Sequence, residues 1–156
     1  MTVYVLTLFS HSYLRWVVLG LCSVVSARSA LGLWRGGAWT APHARWQQAL
    51  LRAADLQLLL GVTLYLWLSP FSHGFFHNPR AGLRDAMLRF FGIEHVFGMV
   101  VAINLLHVGQ ERALRAPDAR GKHKQTLWLT GAALLLMAAS IPWPFMPYPR
   151  PLLRTP

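Results

Sequence analysis

Cysteine and acidic residues are scarce in this chain of 156 residues. Cys22 is the only cysteine, so no intrachain disulfide can form and no cluster of thiolates can hold a metal. Charged residues make up 13% of the sequence and the AVILMFWYC set 54%, a composition too apolar for a typical soluble domain. The sequence also has no zincin helix, nucleophile elbow or phosphate-binding loop. These absences favour an integral membrane protein over the common soluble enzyme classes.

The few charges that are present are mostly basic, with 15 Lys and Arg against 5 Asp and Glu. A net charge of +10 is also found in nucleic-acid-binding proteins. Here the basic residues lie mainly in the connections between apolar segments, where they anchor helices and contact anionic lipid. We therefore expect a lipid bilayer as the partner of these residues, and no nucleic acid.

Four apolar segments are each close to the roughly 20 residues that cross a hydrocarbon core. They cover about residues 5–33, 46–68, 86–110 and 125–141. The first lacks the basic region that precedes a signal peptide core, so we expect it to be retained. Short Pro- and Gly-containing connections make sequential helices antiparallel. The sequence predicts an all-α membrane protein, a single domain over 1–156 built as a four-helix up-down transmembrane bundle.

The tail over 142–156 contains six prolines, so it cannot be helical. We expect it to lie extended along the membrane surface.

Lys and Arg residues divide unequally between the two ends of this predicted bundle. The end with the chain termini has Arg80, Arg84, Arg89, Arg150 and Arg154. The opposite end has nine, namely Arg28, Arg35, Arg45, Arg52, Arg112, Arg115, Arg120, Lys122 and Lys124. The positive-inside rule then places the end with nine cations in the cytoplasm and both termini on the other side, which in a multi-pass protein of a bacterial inner membrane is the periplasm.

Two histidines lie in the first and third predicted helices, which run in the same direction. His11 precedes the most apolar part of its helix by about one turn, and His95 follows the start of its apolar run by about one turn. In an up-down bundle these helices can face each other across a diagonal. Ionisable residues inside a membrane are costly and usually functional. The pair therefore predicts His11 and His95 as axial ligands of the iron of one haem b.

Glycines flank His95 on the same predicted face. Gly92 and Gly98 lie about one turn to either side, and their lack of a side chain would leave room for a macrocycle. The alternative is that they allow two membrane helices to pack closely, as small residues do.

Two arginines are candidates for compensating the charge of haem propionates. Arg89 lies about two turns outward of His95, although interfacial anchoring would explain it equally well. Arg15 lies one turn inward of His11, and we expect it to pair with Glu94 or a propionate, because an unpaired charge there is costly.

A second haem, bound through His107, is not favoured. His107 lies 12 residues beyond His95, which moves it about 18 Å along the helix and about 120° around it. Its candidate partners, His43 and His123, lie in loops or at helix starts. We expect His107 to form a hydrogen bond with a polar neighbour instead.

Asp55 is the acidic residue of the second predicted helix. Its expected partner is Arg28, Arg52 or His107. A proton relay or a contact with quinone is the functional alternative.

Several short motifs resemble small bacterial four-helix membrane proteins described as cytochrome b. They lie at residues 11–16 (HSYLRW), 55–61 (DLQLLLG), 94–95 (EH), 122–124 (KHK) and 141–144 (IPWP). The resemblance implies a membrane haem protein with ligands at His11 and His95. It extends more broadly to four-helix cytochromes b that exchange electrons with quinol, but the second diagonal histidine pair of their di-haem members is not evident here.

The sequence thus predicts a haem b electron-transfer protein that exchanges electrons with quinol or a periplasmic redox protein. An electron carrier or a subunit of a redox complex is favoured over a stand-alone enzyme. Two alternatives remain: a haem-free accessory subunit of a larger membrane complex, and a small permease or metal-handling protein.

Overall fold

The computed structural model describes residues 2–153, and every regular element in that range is a helix. Three helices are long and apolar enough to cross a membrane: α1 (Val3–Arg35), α2 (Ala41–Leu68) and α5 (Ala86–Arg115). Two short helices, α3 (Pro70–His77) and α4 (Pro79–Arg84), connect α2 to α5. The last helix is α6 (Ala119–Ala139). Arg154, one of the cations counted at the end with the chain termini, lies outside the described residues.

Local sequence signals define the ends of these helices. The Thr2 hydroxyl accepts a hydrogen bond from the Val5 amide at the start of α1, and the Asp118 carboxylate caps α6 through the Gly121 amide. Gly36 ends α1 with φ of 62°, a left-handed conformation that glycine adopts without steric cost. Proline opens both α3 and α4, since its missing amide proton is not needed in the first turn.

Two of the long helices contain a π-helical turn. Residues Leu64–Leu68 form the last turn of α2, and residues Phe90–Glu94 form a π turn inside α5, directly before His95. Such turns are uncommon and occur frequently at functional sites, because they change the direction in which the following side chains point. The π turn in α5 therefore sets the orientation of His95.

The four long helices form a ring in which α1 and α5 occupy a diagonal. α1 packs against α2 and α6, and α5 packs against α6 and, less extensively, against α2. Each long helix contributes one fully buried small residue to the common core: Cys22, Ala54, Ala102 and Ala133. Small residues let helix backbones approach closely, which is how membrane helices associate. The predicted diagonal arrangement of the first and third long helices is confirmed.

Large apolar side chains project outward around this bundle. Trp34, Trp67, Phe97, Trp128 and Leu135 are each at least 65% exposed. Exposing such an apolar surface to water is unfavourable, whereas contact of the same surface with lipid chains is favourable. The apolar part of α6 is shorter than that of the other three long helices, because its first two turns contain Arg120, Lys122 and Lys124.

The observed elements differ from the predicted ones in four places, of which the first is the end of α5 at Arg115 rather than at about residue 110. The second and fourth long helices begin about five residues earlier than the apolar runs alone indicated, at Ala41 and Ala119. The helices α3 and α4 fall in a segment expected to be a loop. The described part of the tail is non-helical, as predicted, but it folds back onto the bundle, and the Trp16 indole donates a hydrogen bond to the Leu152 carbonyl.

Candidate functional site

The structure brings His11 of α1 and His95 of α5 together across the diagonal of the bundle. Their ring centroids are 6.3 Å apart and the ring planes are inclined at 71°. Two imidazoles on opposite sides of one metal ion, each with a metal–nitrogen bond of about 2.0 Å, have centroids about 6 Å apart. The spacing therefore fits a bis-histidine site.

A hydrogen bond fixes the orientation of the His95 ring. Its Nδ1 lies 2.7 Å from the carbonyl oxygen of Ser140, the residue that follows α6. A carbonyl oxygen can only accept, so Nδ1 carries the proton and Nε2 has the free lone pair. Metal-binding histidines commonly donate their other ring N–H to a carbonyl in this way. Ser140 was not identified from the sequence, because the interaction comes from its backbone.

The ring of His11 is held differently. Its Nδ1 is buried without a hydrogen-bond partner among the described residues, and the carbonyl of His11 accepts a hydrogen bond from the side-chain amide of Gln57. A Cβ atom added to Gly61 would lie 3.2 Å from Cε1 of His11, so the missing side chain of Gly61 leaves space for the imidazole. Buried polar atoms without a partner are uncommon, so Nδ1 of His11 is available for a hydrogen bond or a bound group.

Both histidines line a cavity at the end of the bundle that carries the tail. The empty space in the cavity, including its opening to solvent, has a volume of about 1380 Å³. Within it, the centres of water-sized spheres can occupy a volume of about 170 Å³. Apolar residues from α1, α2, α5, α6 and the tail form most of its wall, among them Val18, Leu58, Met99, Met137 and Ile141. An apolar cavity with a few convergent polar groups is typical of a cofactor site.

Arg15 and Arg89 have different environments. Arg15 lines the cavity, and its guanidinium donates to the Leu152 carbonyl at 2.8 Å. Arg89 pairs with Glu94 at 2.6 Å and also donates to the Leu83 carbonyl, and it is not part of the cavity wall. The expected pairing of Arg15 with Glu94 is wrong, since Glu94 is engaged by Arg89. The structure places only Arg15 of these two arginines where it can contact a ligand in the cavity.

Gly92 and Gly98 adjoin packed side chains, and neither lines the cavity. A Cβ atom at Gly92 would overlap the ring of Phe75, and one at Gly98 would overlap the hydroxyl oxygen of Ser140. The prediction that Gly92 and Gly98 make room for a macrocycle is therefore not supported. Their missing side chains instead allow neighbouring helices to pack closely, which was the alternative. The π turn explains part of the difference, since it alters the angular spacing between Gly92 and His95.

Arg150 lines the same cavity, although the sequence singled it out only as a surface cation. Its guanidinium lies 4.6 Å from the ring centroid of Phe71 and 5.1 Å from that of Phe91. The position depends on the tail folding back, and no local sequence signal indicates that fold.

Other histidines form separate contacts away from the cavity. Nε2 of His107 lies 2.8 Å from the Asp55 carboxylate, so the predicted hydrogen bond to a polar neighbour is confirmed. His43 and His123 also meet, with ring centroids 4.9 Å apart and Trp39 against both rings. Their separation is shorter than that of His11 and His95, and His123 is fully buried.

Comparison with protein-family models, with curated proteins and with solved structures finds no match for this chain.

Proposed function

We propose that this chain is an integral membrane electron-transfer protein that binds one haem b through His11 and His95. The observation that supports this proposal most directly is the 6.3 Å separation of the two imidazoles across the diagonal of the bundle. Each of the two rings would supply one nitrogen ligand to the iron of the group. The hydrogen bond from His95 Nδ1 to Ser140, which leaves Nε2 available, supports the same assignment.

When bound, haem would supply an iron that gains and loses one electron. His11 and His95 would hold that iron through their ring nitrogens. Apolar lining residues such as Val18 and Met99 would surround the bound group and limit the access of water to it. These properties favour relay of electrons over chemistry with oxygen.

The membrane topology that we propose is a four-helix up-down bundle with both termini in the periplasm of a bacterial inner membrane. In this arrangement α6 crosses the bilayer together with the three more apolar helices. Its support is the length of α6, 21 residues or about 30 Å, and its packing against both α1 and α5. The excess of Lys and Arg at the opposite end supports the orientation.

The redox partner that we propose is quinol or a periplasmic redox protein, because the cavity lies at the end of the bundle nearest the proposed periplasmic face. A haem-free accessory subunit is the competing function, and the haem content of the purified protein separates the two.

The test is the ratio of haem to protein in purified variants. His11→Ala and His95→Ala should each abolish the low-spin Soret band, while His107→Ala, a control on the same helix as His95, should keep the wild-type ratio. An unchanged ratio in His95→Ala would overturn the assignment.

A variant that fails to fold is distinguished by chemical rescue. In His95→Gly, added imidazole can enter the space left by the missing ring and replace the ligand. We expect imidazole to restore the low-spin spectrum of His95→Gly and to leave His107→Ala unchanged. Protein that stays in the membrane with a normal helical circular dichroism spectrum, yet shows no response to imidazole, would contradict His95 as a ligand.

A further inference from the structure

A row of polar side chains crosses the outer surface of the bundle where α2 and α5 adjoin. The Asp55 carboxylate accepts a hydrogen bond from Nε2 of His107 at 2.8 Å, and the two side chains are 52% and 50% exposed. Asn104 is also exposed, one turn from His107 along α5. α5 packs less extensively against α2 than against α6. These polar groups therefore stay uncovered within the part of the chain that the structure describes.

Lipid chains are an unfavourable environment for this row. Asp55 lies about 4.5 Å inward of Arg52 along α2, and His107 lies about 6 Å inward of Glu111 along α5. Ionisable side chains inside a membrane are costly, and they almost always face other protein or a water-filled cavity. Polar side chains on membrane helices also associate those helices through hydrogen bonds. A protein surface is thus the expected neighbour of the row.

The row belongs to a larger exposed surface that has the same residue spacing on both helices. This α2–α5 face consists of Arg52, Asp55 and Leu59 of α2 and of Asn104, His107 and Glu111 of α5. The spacing of three and then four residues places each trio along one side of its helix. Because α2 and α5 are antiparallel and Asp55 contacts His107, Arg52 lies at nearly the same depth as Glu111.

A second copy of the chain matches this face in charge. Two copies inserted in the same direction are related by a two-fold axis along the membrane normal, so each residue meets the other copy at its own depth. The axis exchanges left and right, which puts α2 of one copy against α5 of the other. Arg52 of each copy then faces Glu111 of the other copy.

The charges of these two residues are suited to that contact. Arg52 is exposed and forms no ion pair with another described residue. Glu111 pairs with Arg115 through one carboxylate oxygen, and its second oxygen can accept a further hydrogen bond. The contact occurs twice in a symmetric dimer, and the same arrangement covers the Asp55–His107 pairs of both copies.

We infer that the α2–α5 face is the interface of a homodimer, with a second copy of this chain as its occupant. Burial of the polar row removes it from lipid, and the contacts between Arg52 and Glu111 fix the orientation of the two copies. The inference goes beyond the proposed function and does not depend on it, because none of the six residues of the face lines the cavity.

The first experiment measures the mass of the full-length protein in mild detergent by sedimentation equilibrium, over a range of protein-to-detergent ratios. The wild-type protein should have the mass of two chains at high ratios. Arg52→Glu places carboxylates of different copies opposite each other, and Glu111→Arg does the same with guanidinium groups. Each variant should raise the dissociation constant of the dimer by about tenfold or more.

Reversing both charges tests whether the two residues meet across the interface. The double variant Arg52→Glu, Glu111→Arg restores opposite charges in reversed order, so it should dimerise more tightly than either single variant. Arg35→Glu is the matched control, because it makes the same change of charge at the same end of the bundle, at an exposed position of α1. It should leave the dissociation constant unchanged.

A second experiment uses native membranes and changes no charge. Differently tagged copies carrying Leu59→Cys and Asn104→Cys are co-expressed, since the two-fold axis brings these positions to nearly the same depth on facing helices. Oxidation should join the two copies by a disulfide, whereas the native Cys22 is fully buried. Leu135→Cys, exposed on α6 diagonally across from α2, replaces Leu59→Cys in the control and should give no crosslink.

Three results would overturn the inference. The first is a protein with the mass of one chain at every ratio that also gives no disulfide between the two cysteine variants in membranes. The second is a dimer that neither single charge reversal weakens, because its interface then lies elsewhere. The third is crosslinking of these cysteines to a different membrane protein, which would assign the face to a larger complex.

Discussion

The Nδ1 atom of His95 lies 2.7 Å from the carbonyl oxygen of Ser140, the residue that follows α6, which packs between α1 and α5. This bond connects a side chain of α5 to the C-terminal end of α6, so the orientation of the imidazole depends on how closely the two helices approach. A Cβ atom at Gly98 would overlap the hydroxyl oxygen of Ser140. Gly98 therefore acts on the site through Ser140, without a contact to a ligand in the cavity.

Gly98→Ala should weaken cofactor binding, because the added methyl group displaces Ser140 and loosens the bond that orients His95. Loss of such an orienting partner typically lowers metal affinity by about tenfold or more. The measurement is a Soret titration of haem-free protein. Gly131→Ala is the control, since a Cβ atom there meets nothing within 4 Å. Equal affinities in the two variants would argue against the role given to Ser140.

Gly61→Ala tests the other side of the histidine pair. The new Cβ atom would lie 3.2 Å from Cε1 of His11, so the imidazole must move by a few tenths of an ångström. We expect the haem affinity to fall by about tenfold and the electron paramagnetic resonance spectrum of the low-spin iron to change as the ring tilts. Gly20→Ala, which adds a Cβ atom in open space, should change neither quantity. If the two spectra coincide, Gly61 is not needed to position His11.

The sequence was sufficient to predict the long helices and the diagonal position of His11 and His95. Apolar runs of membrane-spanning length mark the helices, and short connections determine the order in which they pack. The details around the site were not predictable in the same way. The π turn before His95 has no local signal, and the position of Ser140 depends on a backbone carbonyl. The place of Arg150 depends on how an irregular, proline-rich tail folds back.

His43→Ala tests whether the contact between His43 and His123 is a second haem site. The two centroids are 4.9 Å apart, and His43 already accepts a hydrogen bond from the Thr40 amide, which caps α2. We expect the variant to keep the wild-type ratio of haem to protein and to lose about 1 kcal/mol of stability through the missing cap. Pyridine haemochrome assay and thermal unfolding in detergent measure the two effects. A halved haem content would instead identify His43 as a haem ligand.

The proposed topology can be tested with single cysteines, because Cys22 is fully buried and the only native cysteine. Ala38→Cys lies between α1 and α2, and Arg84→Cys lies at the end of α4; both positions are exposed. In intact cells a membrane-impermeant maleimide should label Arg84→Cys directly and Ala38→Cys only after permeabilisation. The wild-type protein should stay unlabelled. The reverse pattern would place the termini in the cytoplasm.

The reduced-minus-oxidised absorption spectrum of the purified wild-type protein, with a pyridine haemochrome assay for stoichiometry, is the most direct test of the haem proposal. The arrangement of His11 and His95 predicts one haem b per chain with the sharp bands of a six-coordinate low-spin iron. A protein that is colourless as purified and remains colourless after haem is added would contradict that prediction.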